Sequence, residues 1–301
     1  MRGLSSPVLR GALLVLVSAA CVAVDTILAR VVTREVSPFV LVFFRNLFGL
    51  LAVAPWLAAG GGWVAFATRR PLLHVARAAL KILGLVGFFY GLSVVPVAEA
   101  TAIAFATPLF AAAGAAVFLG ETLRHGRLAA ILLGFAGVLI VLRPGGGGGG
   151  ALHPGALAIL ASAVALAAIG LLAKVLARHD PPRTILAINL TLSVPLALLA
   201  AIPFWTTPSP ATLGLMAVQG ALGAASQICF IRALRLADAS LMMPVDLVRL
   251  PLVALLGFLA FGQVPDGWTW AGAVVICAAV VLLLRSGERA RGPVAVLPFD
   301  R

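Results

Sequence analysis

The chain has 301 residues, 62% of them hydrophobic and 11% charged, against about 45–50% apolar and about 25% charged in a soluble domain. Its formal net charge is +12, carried by arginines scattered among the ends of apolar runs and not gathered on the one basic face a nucleic-acid footprint needs. A soluble enzyme domain and a nucleic-acid module are excluded, and an integral membrane protein remains.

A hydrocarbon core about 30 Å thick takes roughly 20 helical residues. Apolar runs of that order lie near 11–30, 38–59, 73–94, 97–119, 127–143, 154–176, 184–204, 212–233, 240–261 and 268–285. The first follows a charged start, and Ala19-Ala20-Cys21 resembles a processing site. Its apolar character continues to Ala29, however, and Ser18 stands where a lipoprotein signal wants a Leu-like residue, so a membrane helix is the better reading. Turn formers and charges punctuate the chain at Ser37-Pro38, Arg69-Arg70-Pro71, Pro181-Pro182 and Pro208-Ser209-Pro210. The least punctuated gap, Ser93 to Val97, has to reverse the chain in very few residues. Gly145 to Gly150 lacks the following Lys and Ser/Thr of a phosphate loop and reads as a flexible tether between halves.

Arginine placement predicts topology. With the N-terminus in the cytoplasm, Arg2, Arg10, Arg69, Arg70, Arg124, Arg127, Arg178, Arg183, Arg232, Arg235, Arg285, Arg289, Arg291 and Arg301 fall inside, 14 in all, and 3 (Arg30, Arg34, Arg143) fall outside. That bias alternates correctly only if all ten runs cross. Five crossings per half invert one half against the other, and the halves resemble each other. Gly11–Pro38 laid over Gly155–Pro182 is identical at 12 of 28 positions. Phe118-Leu119-Gly120-Glu121 resembles Ala260-Phe261-Gly262-Gln263. The expected fold is therefore all-α, ten transmembrane helices arranged as two inverted five-helix repeats. These cover 1–144 and 154–287, with a Gly-rich linker at 145–153 and a short cytoplasmic tail at 288–301. Inverted repeats are the signature of secondary transporters.

Several pieces in order carry a family resemblance: Pro38 with Arg45, Pro108 before Leu119-Gly120-Glu121, Ala237-Asp238-Ala239-Ser240 with Pro244, and Phe261-Gly262-Gln263-Val264-Pro265-Asp266 leading to Trp270-Ala271-Gly272. The chain resembles a ten-helix, EamA-type member of the drug/metabolite transporter superfamily along nearly all its length. Gln263 stands where the family often has a second Glu, which leaves that position a helix-capping role. The resemblance implies a multi-pass carrier of the bacterial inner membrane with both termini cytoplasmic and a central cavity between the halves. Its cargo would be a metabolite such as an amino acid, an amine or a vitamin; its partners are that small molecule and the lipid bilayer. No nucleic acid is expected, and a homodimer is compatible with it.

Ionisable groups inside spans are costly, at least about 2.5–3.5 kcal/mol on insertion scales, so they mark a cavity or a partner. Asp25, Arg45, Arg77, Lys81, Glu99, Asp246 and Arg249 qualify, whereas Lys174 and Glu121 sit at span ends where reaching the interface is cheap. Arg77 and Lys81, four apart, share a helix face and repel. Something anionic belongs opposite, either Asp25 or Asp246 or a substrate carboxylate or phosphate. Asp246 and Arg249, three apart, can satisfy each other, while Pro244 and Pro251 disrupt the same helix. The expected substrate contacts are Lys81, Tyr90, Gln227, Asp246, Arg249 and Arg45, with Arg45 also readable as an anchor between helices. Asp25 and Glu99 are the expected proton-coupling acids. Four cations against three acids favour a carboxylate-bearing or zwitterionic cargo over a lipophilic cation.

No catalytic constellation is visible, since His74, His125, His153 and His179 lie at or beyond span ends. Cys21, Cys229 and Cys277 lack metal-ligand spacing. Neither an enzyme, a metal nor a cofactor is expected, and a passive channel or membrane scaffold is the alternative to a carrier.

Overall fold

A computed structural model describes residues 7–58, 67–119, 125–142, 153–176, 179–236 and 245–288. Every regular element among them is helical: α1 (Pro7–Val32), α2 (Pro38–Ala58), α3 (Pro71–Val94), α4 (Val97–Ala104), α5 (Thr107–Leu119), α6 (His125–Leu142), α7 (Pro154–Leu176), α8 (Pro182–Ala201), a 3-10 turn at Ile202–Phe204, α9 (Pro210–Leu236), α10 (Arg249–Phe261) and α11 (Gly267–Glu288). Seven segments of the described residues are long and apolar enough to cross a membrane, with α4 and α5 counting together as Val97–Phe118. Leu128–Leu142, Arg249–Phe261 and Gly267–Leu283 are shorter apolar helices. Leu72, Val117, Phe118, Leu259 and Val264 lie exposed on the outside, as lipid-facing side chains do.

The halves are interleaved. The most extensive helix pairings join one half to the other: α3 with α7, α1 with α9, α6 with α11, and α2 with both α8 and α9. Two self-contained bundles facing across a gap are not what the chain builds. Close approach of backbones makes the interleaving work, as at Gly91, where a Cβ would meet the Gly155 carbonyl oxygen at 2.5 Å. Hydroxyls add directional links, Ser18 Oγ and Ser226 Oγ lying 2.9 Å apart between α1 and α9.

The expected fourth span is broken, and its proline explains how. Pro108 has no N–H for the carbonyl four residues back, that of Ala104. α4 stops at Ala104, a turn follows at Phe105 and Ala106, and α5 resumes at Thr107. The Thr107 hydroxyl takes over the orphaned acceptor, donating to the Ala104 carbonyl at 2.7 Å. The second half repeats the device. Pro251 denies a donor to the Leu247 carbonyl, a turn lies at Leu247 and Val248, and α10 begins at Arg249. The register that lays Glu121 on Gln263 also lays Phe105-Ala106 on Leu247-Val248. Pro244, the expected source of the kink, lies outside the described residues.

The tight gap after α3 closes at Val95-Pro96, and Arg30 of α1 ties it down. Its Nη1 donates to the Leu92 carbonyl at 2.6 Å and to that of Val95. Across this end, Gln263 Oε1 accepts from the Val97 N–H at 3.1 Å and so caps α4. Gly262 presents it: this C-cap residue of α10 has φ +66, a left-handed conformation costly for any residue with a Cβ. Glu121, the matching residue of the first half, lies outside the described residues.

Candidate functional site

Charges inside the bundle fall into three groups. The first is built by α1, α2 and α9. Arg45 Nη2 donates to Asp25 Oδ2 at 2.8 Å and Arg45 Nε to Asp25 Oδ1 at 3.4 Å. Gln219, with no exposed surface, donates through Nε2 to Asp25 Oδ1 and to the Asp25 carbonyl, each at 3.1 Å. Gly223 makes the room, since a Cβ there would come within 2.9 Å of Arg45 Nη2. The guanidinium carbon lies 5.6 Å from the centre of the Phe89 ring on α3, a cation–π contact. This group is neutral in sum and its carboxylate is well supplied with donors.

The second group lies between α3 and α8. Lys81 Nζ donates to Ser193 Oγ at 3.1 Å, and that hydroxyl donates to the Asn189 carbonyl at 2.5 Å. Lys81 is half-buried. Its charged neighbours are Arg45 and Arg77. Among the described residues neither Lys81 nor Arg77 has a carboxylate partner. Arg77 Nε and Nη1 and Asn189 Nδ2 are buried donors with no acceptor there.

The third group sits where the two broken spans meet. Arg249 opens α10 with Nη2 3.6 Å from Asp246 Oδ2, and its guanidinium carbon stands 4.6 Å from the centre of the Phe105 ring in the other break. Each half thus contributes one interruption to a single junction.

Polar contacts also bind the halves at both ends of the bundle. At one, Glu35 between α1 and α2 accepts from the Thr212 hydroxyl, from the Ser209 N–H at 2.6 Å and from the Ser209 hydroxyl at 3.1 Å. These donors hold its carboxyl below the usual carboxylate range. At the other, buried Asp180 between α7 and α8 accepts from His74 Nε2 at 2.9 Å and from the Thr68 hydroxyl at 2.8 Å, which depress its carboxyl likewise. The two arrangements are counterparts: a carboxylate after the first span of one half meets the start of the third span of the other.

The structure brings some expected residues together and separates others. Asp25 faces Arg45, and Asp246 faces Arg249, so neither lies opposite Arg77 and Lys81 as one sequence reading had it. Gln227 and Tyr90 are exposed, and the buried amides among the described residues are Asn46, Asn189 and Gln219 instead. Glu99 is half-buried in the first turn of α4, where the positive end of the helix dipole favours an acid. Sequence reasoning missed Gln219, His74 and Asp180. The only signal for Gln219 was an amide in mid-span, and Gln227, two turns further on, offers the same one. Lys174 is placed in α7, but its side chain is outside the description, as is Glu121.

Inward-turned charge at the junction of interrupted helices is how membrane carriers hold polar cargo, and the class is a multi-pass membrane transporter of small metabolites. The chain belongs to the EamA-like transporter family, which matches residues 9–143 and 153–285. A riboflavin transporter of Rhizobium johnstonii is 35% identical over 82% of this chain and 81% of its own length. An S-adenosylmethionine uptake transporter of Rickettsia prowazekii is 26% identical over 88% of this chain and 89% of that one. A pseudopaline exporter of Pseudomonas aeruginosa is 27% identical over 82% and 86%. One solved crystal structure shares the fold with a TM-score of 0.61 at 24% identity, covering 93% of this chain and 99% of that one.

Proposed function

We infer that the chain is a secondary active carrier that moves a small carboxylate-bearing or zwitterionic metabolite across the bacterial inner membrane by alternating access. All ten apolar segments cross in this reading, as inverted repeats at 1–144 and 154–287, with both termini cytoplasmic. The observation that carries the cargo class is the surplus of interior cations. Asp25 is spent on Arg45 and Asp246 on Arg249, while Lys81 and Arg77 keep no carboxylate among the described residues. An anionic group on the cargo completes that set, and the Arg249–Phe105 junction, where both halves are interrupted, supports a contact for its remainder. Contacts at Glu35 and Asp180 would break in turn as access alternates. Proton coupling follows if the Arg45–Asp25 pair opens during the cycle, because the freed carboxylate can then take a proton.

The relatives named for riboflavin support a second reading, a flat heteroaromatic cargo without a carboxylate, stacked near Phe89 or Phe105. Vesicles loaded with unlabelled S-adenosylmethionine or riboflavin and fed the labelled compound decide between them. Saturable counterflow of the first supports the carboxylate reading, and of riboflavin alone the second. Flux that neither saturates nor shows counterflow would mean a channel. A transport rate of Asp25→Asn still fully driven by a pH gradient removes Asp25 as the coupling group.

A further inference from the structure

The unpartnered donors between α3 and α8 are more specific than a general surplus of charge. His74 meets Asp180 just ahead of α8, and further along Lys81 meets Ser193, so the two helices run parallel. Arg77 lies one turn before Lys81 on α3, and Asn189 one turn before Ser193 on α8. Arg77 and Asn189 therefore stand at the same level, below the Lys81–Ser193 bond. Ser193 is committed twice, accepting from Lys81 and donating to the Asn189 carbonyl. Through Ser193 the ammonium stands near the Asn189 main-chain carbonyl, and the side-chain Nδ2 of that same residue is buried without an acceptor among the described residues, as are Arg77 Nε and Nη1. Asn189 is 7% exposed. A buried donor left empty costs the full desolvation of the group, and here a guanidinium and an amide share that state near an ammonium whose one hydrogen bond among the described residues goes to Ser193.

We propose that Arg77, Lys81 and Asn189 form an oxyanion subsite that seats the carboxylate or phosphate group of the transported metabolite. This rests on the carrier reading above and adds the residues that would hold the anionic end. The guanidinium offers the free N–H groups of Nε and Nη1 to anionic oxygens, Lys81 supplies the nearest mobile charge, and the Asn189 amide orients the third contact. The first half has no such opening, because its own cation already holds Asp25.

The test needs no knowledge of the cargo. In a background with Cys21, Cys229 and Cys277 replaced by Ser, Asn189→Cys is labelled with an anionic sulfonatoethyl thiosulfonate and with its cationic trimethylammonium counterpart. The anionic reagent reacts at least about tenfold faster, as charge steering into a low-dielectric cleft provides. Lys81→Met and Arg77→Met each remove most of that preference, and Lys81→Arg restores it. Monodisperse elution of every variant in detergent shows that it is folded. Equal rates for the two reagents, or no labelling by either, overturns the subsite.

Protection assigns the group. Shielding by S-adenosylmethionine that is lost in Lys81→Met assigns a carboxylate, and shielding by riboflavin phosphate but not riboflavin assigns a phosphate. Equal shielding by riboflavin and its phosphate, unchanged in Lys81→Met, overturns the proposal. Charge preference that persists in a protein without counterflow would leave the subsite standing while the carrier reading falls.

Discussion

The two halves place different chemistry at matching positions. The register that equates Gly11 with Gly155 puts Arg45 on Asn189, and the one that equates Glu121 with Gln263 puts Lys81 on Gly223. In one half-site a cation on α2 faces a glycine on α9 and is neutralised by Asp25 with help from Gln219. In the other the cation sits on α3, facing Asn189 and Ser193 of α8, and no carboxylate comes with it among the described residues. The charge has crossed the interface between repeats and lost its counterion on the way. A closed ion pair ties helices together, whereas an open set of donors waits for a ligand. On the carrier reading proposed above, the duplicated scaffold has one half-site that holds the bundle and one that binds.

That contrast is broken most severely at Arg45. Arg45→Met leaves Asp25 buried with Gln219 as its one remaining side-chain donor, and stranding one member of a buried pair costs about 3–5 kcal/mol. A large drop in the thermal unfolding temperature of the purified protein is expected, and Asp25→Asn added to Arg45→Met recovers much of it. If the double variant is no more stable than the single one, the pair does not tie the helices. Lys81→Met should do the opposite. The fold loses one hydrogen bond to Ser193, worth about 1 kcal/mol, while uptake of the cargo falls by about tenfold or more, or about 1.4 kcal/mol in the transition state. Equal damage to stability and transport by both substitutions would erase the distinction between the half-sites.

How far this was legible in the sequence depended on whether a residue acts through its neighbours in the chain or through distant ones. The two-repeat duplication was readable because apolar length and the Gly11–Pro38 match are local patterns. The break at Phe105 was readable in principle, since Pro108 alone dictates which carbonyl loses its donor, but a continuous apolar run from 97 to 119 hides it. The Asp25–Arg45 pair was not readable: both residues stood out, yet nothing in the spacing said that Asp25 would face α2 and not α3. Gln219 and Gln227 look alike along the chain, and only the rotation of α9 against α1 decides that the first is buried and the second exposed. Glu35 and Asp180 meet the opposite half at separations such as the 174 residues between Glu35 and Ser209, far beyond any local signal.

The cap between halves gives a smaller effect. Gln263→Ala leaves the Val97 N–H without its acceptor at the start of α4, and loss of an N-terminal cap costs about 0.5–2 kcal/mol. Gln263→Glu keeps the acceptor and adds a charge at the positive end of α4, worth about 0.3–1 kcal/mol in its favour. Thermal unfolding of the two variants should therefore bracket the parent, with Ala below it and Glu at or above it. The reverse order would mean that Gln263 contributes through its N–H groups.

The smallest effects concern the carboxylates at the two ends, and they compare the halves once more. Both Glu35 and Asp180 have carboxyl groups depressed by the donors they accept from. A carboxyl depressed on folding contributes stability that is fully present above its unfolded value, about 4.3 for Glu and about 3.9 for Asp, and is lost as the pH falls through the folded one. The Glu35 contact should not weaken between pH 5 and pH 8 and should loosen only in more acid solution, and the Asp180 carboxyl should likewise take up its proton only in more acid solution. The donors differ, however. Glu35 relies on two hydroxyls and a backbone N–H, Asp180 on a buried histidine and Thr68. Thr212→Ala should raise the pH at which the Glu35 end loosens, and His74→Ala should do the same at the Asp180 end, each leaving the other end unmoved. Cysteines placed at Ser37 and at Arg70 report each end separately through their labelling rates against pH. A shift at both ends from either substitution would show that the two contacts open together, which alternating access does not allow.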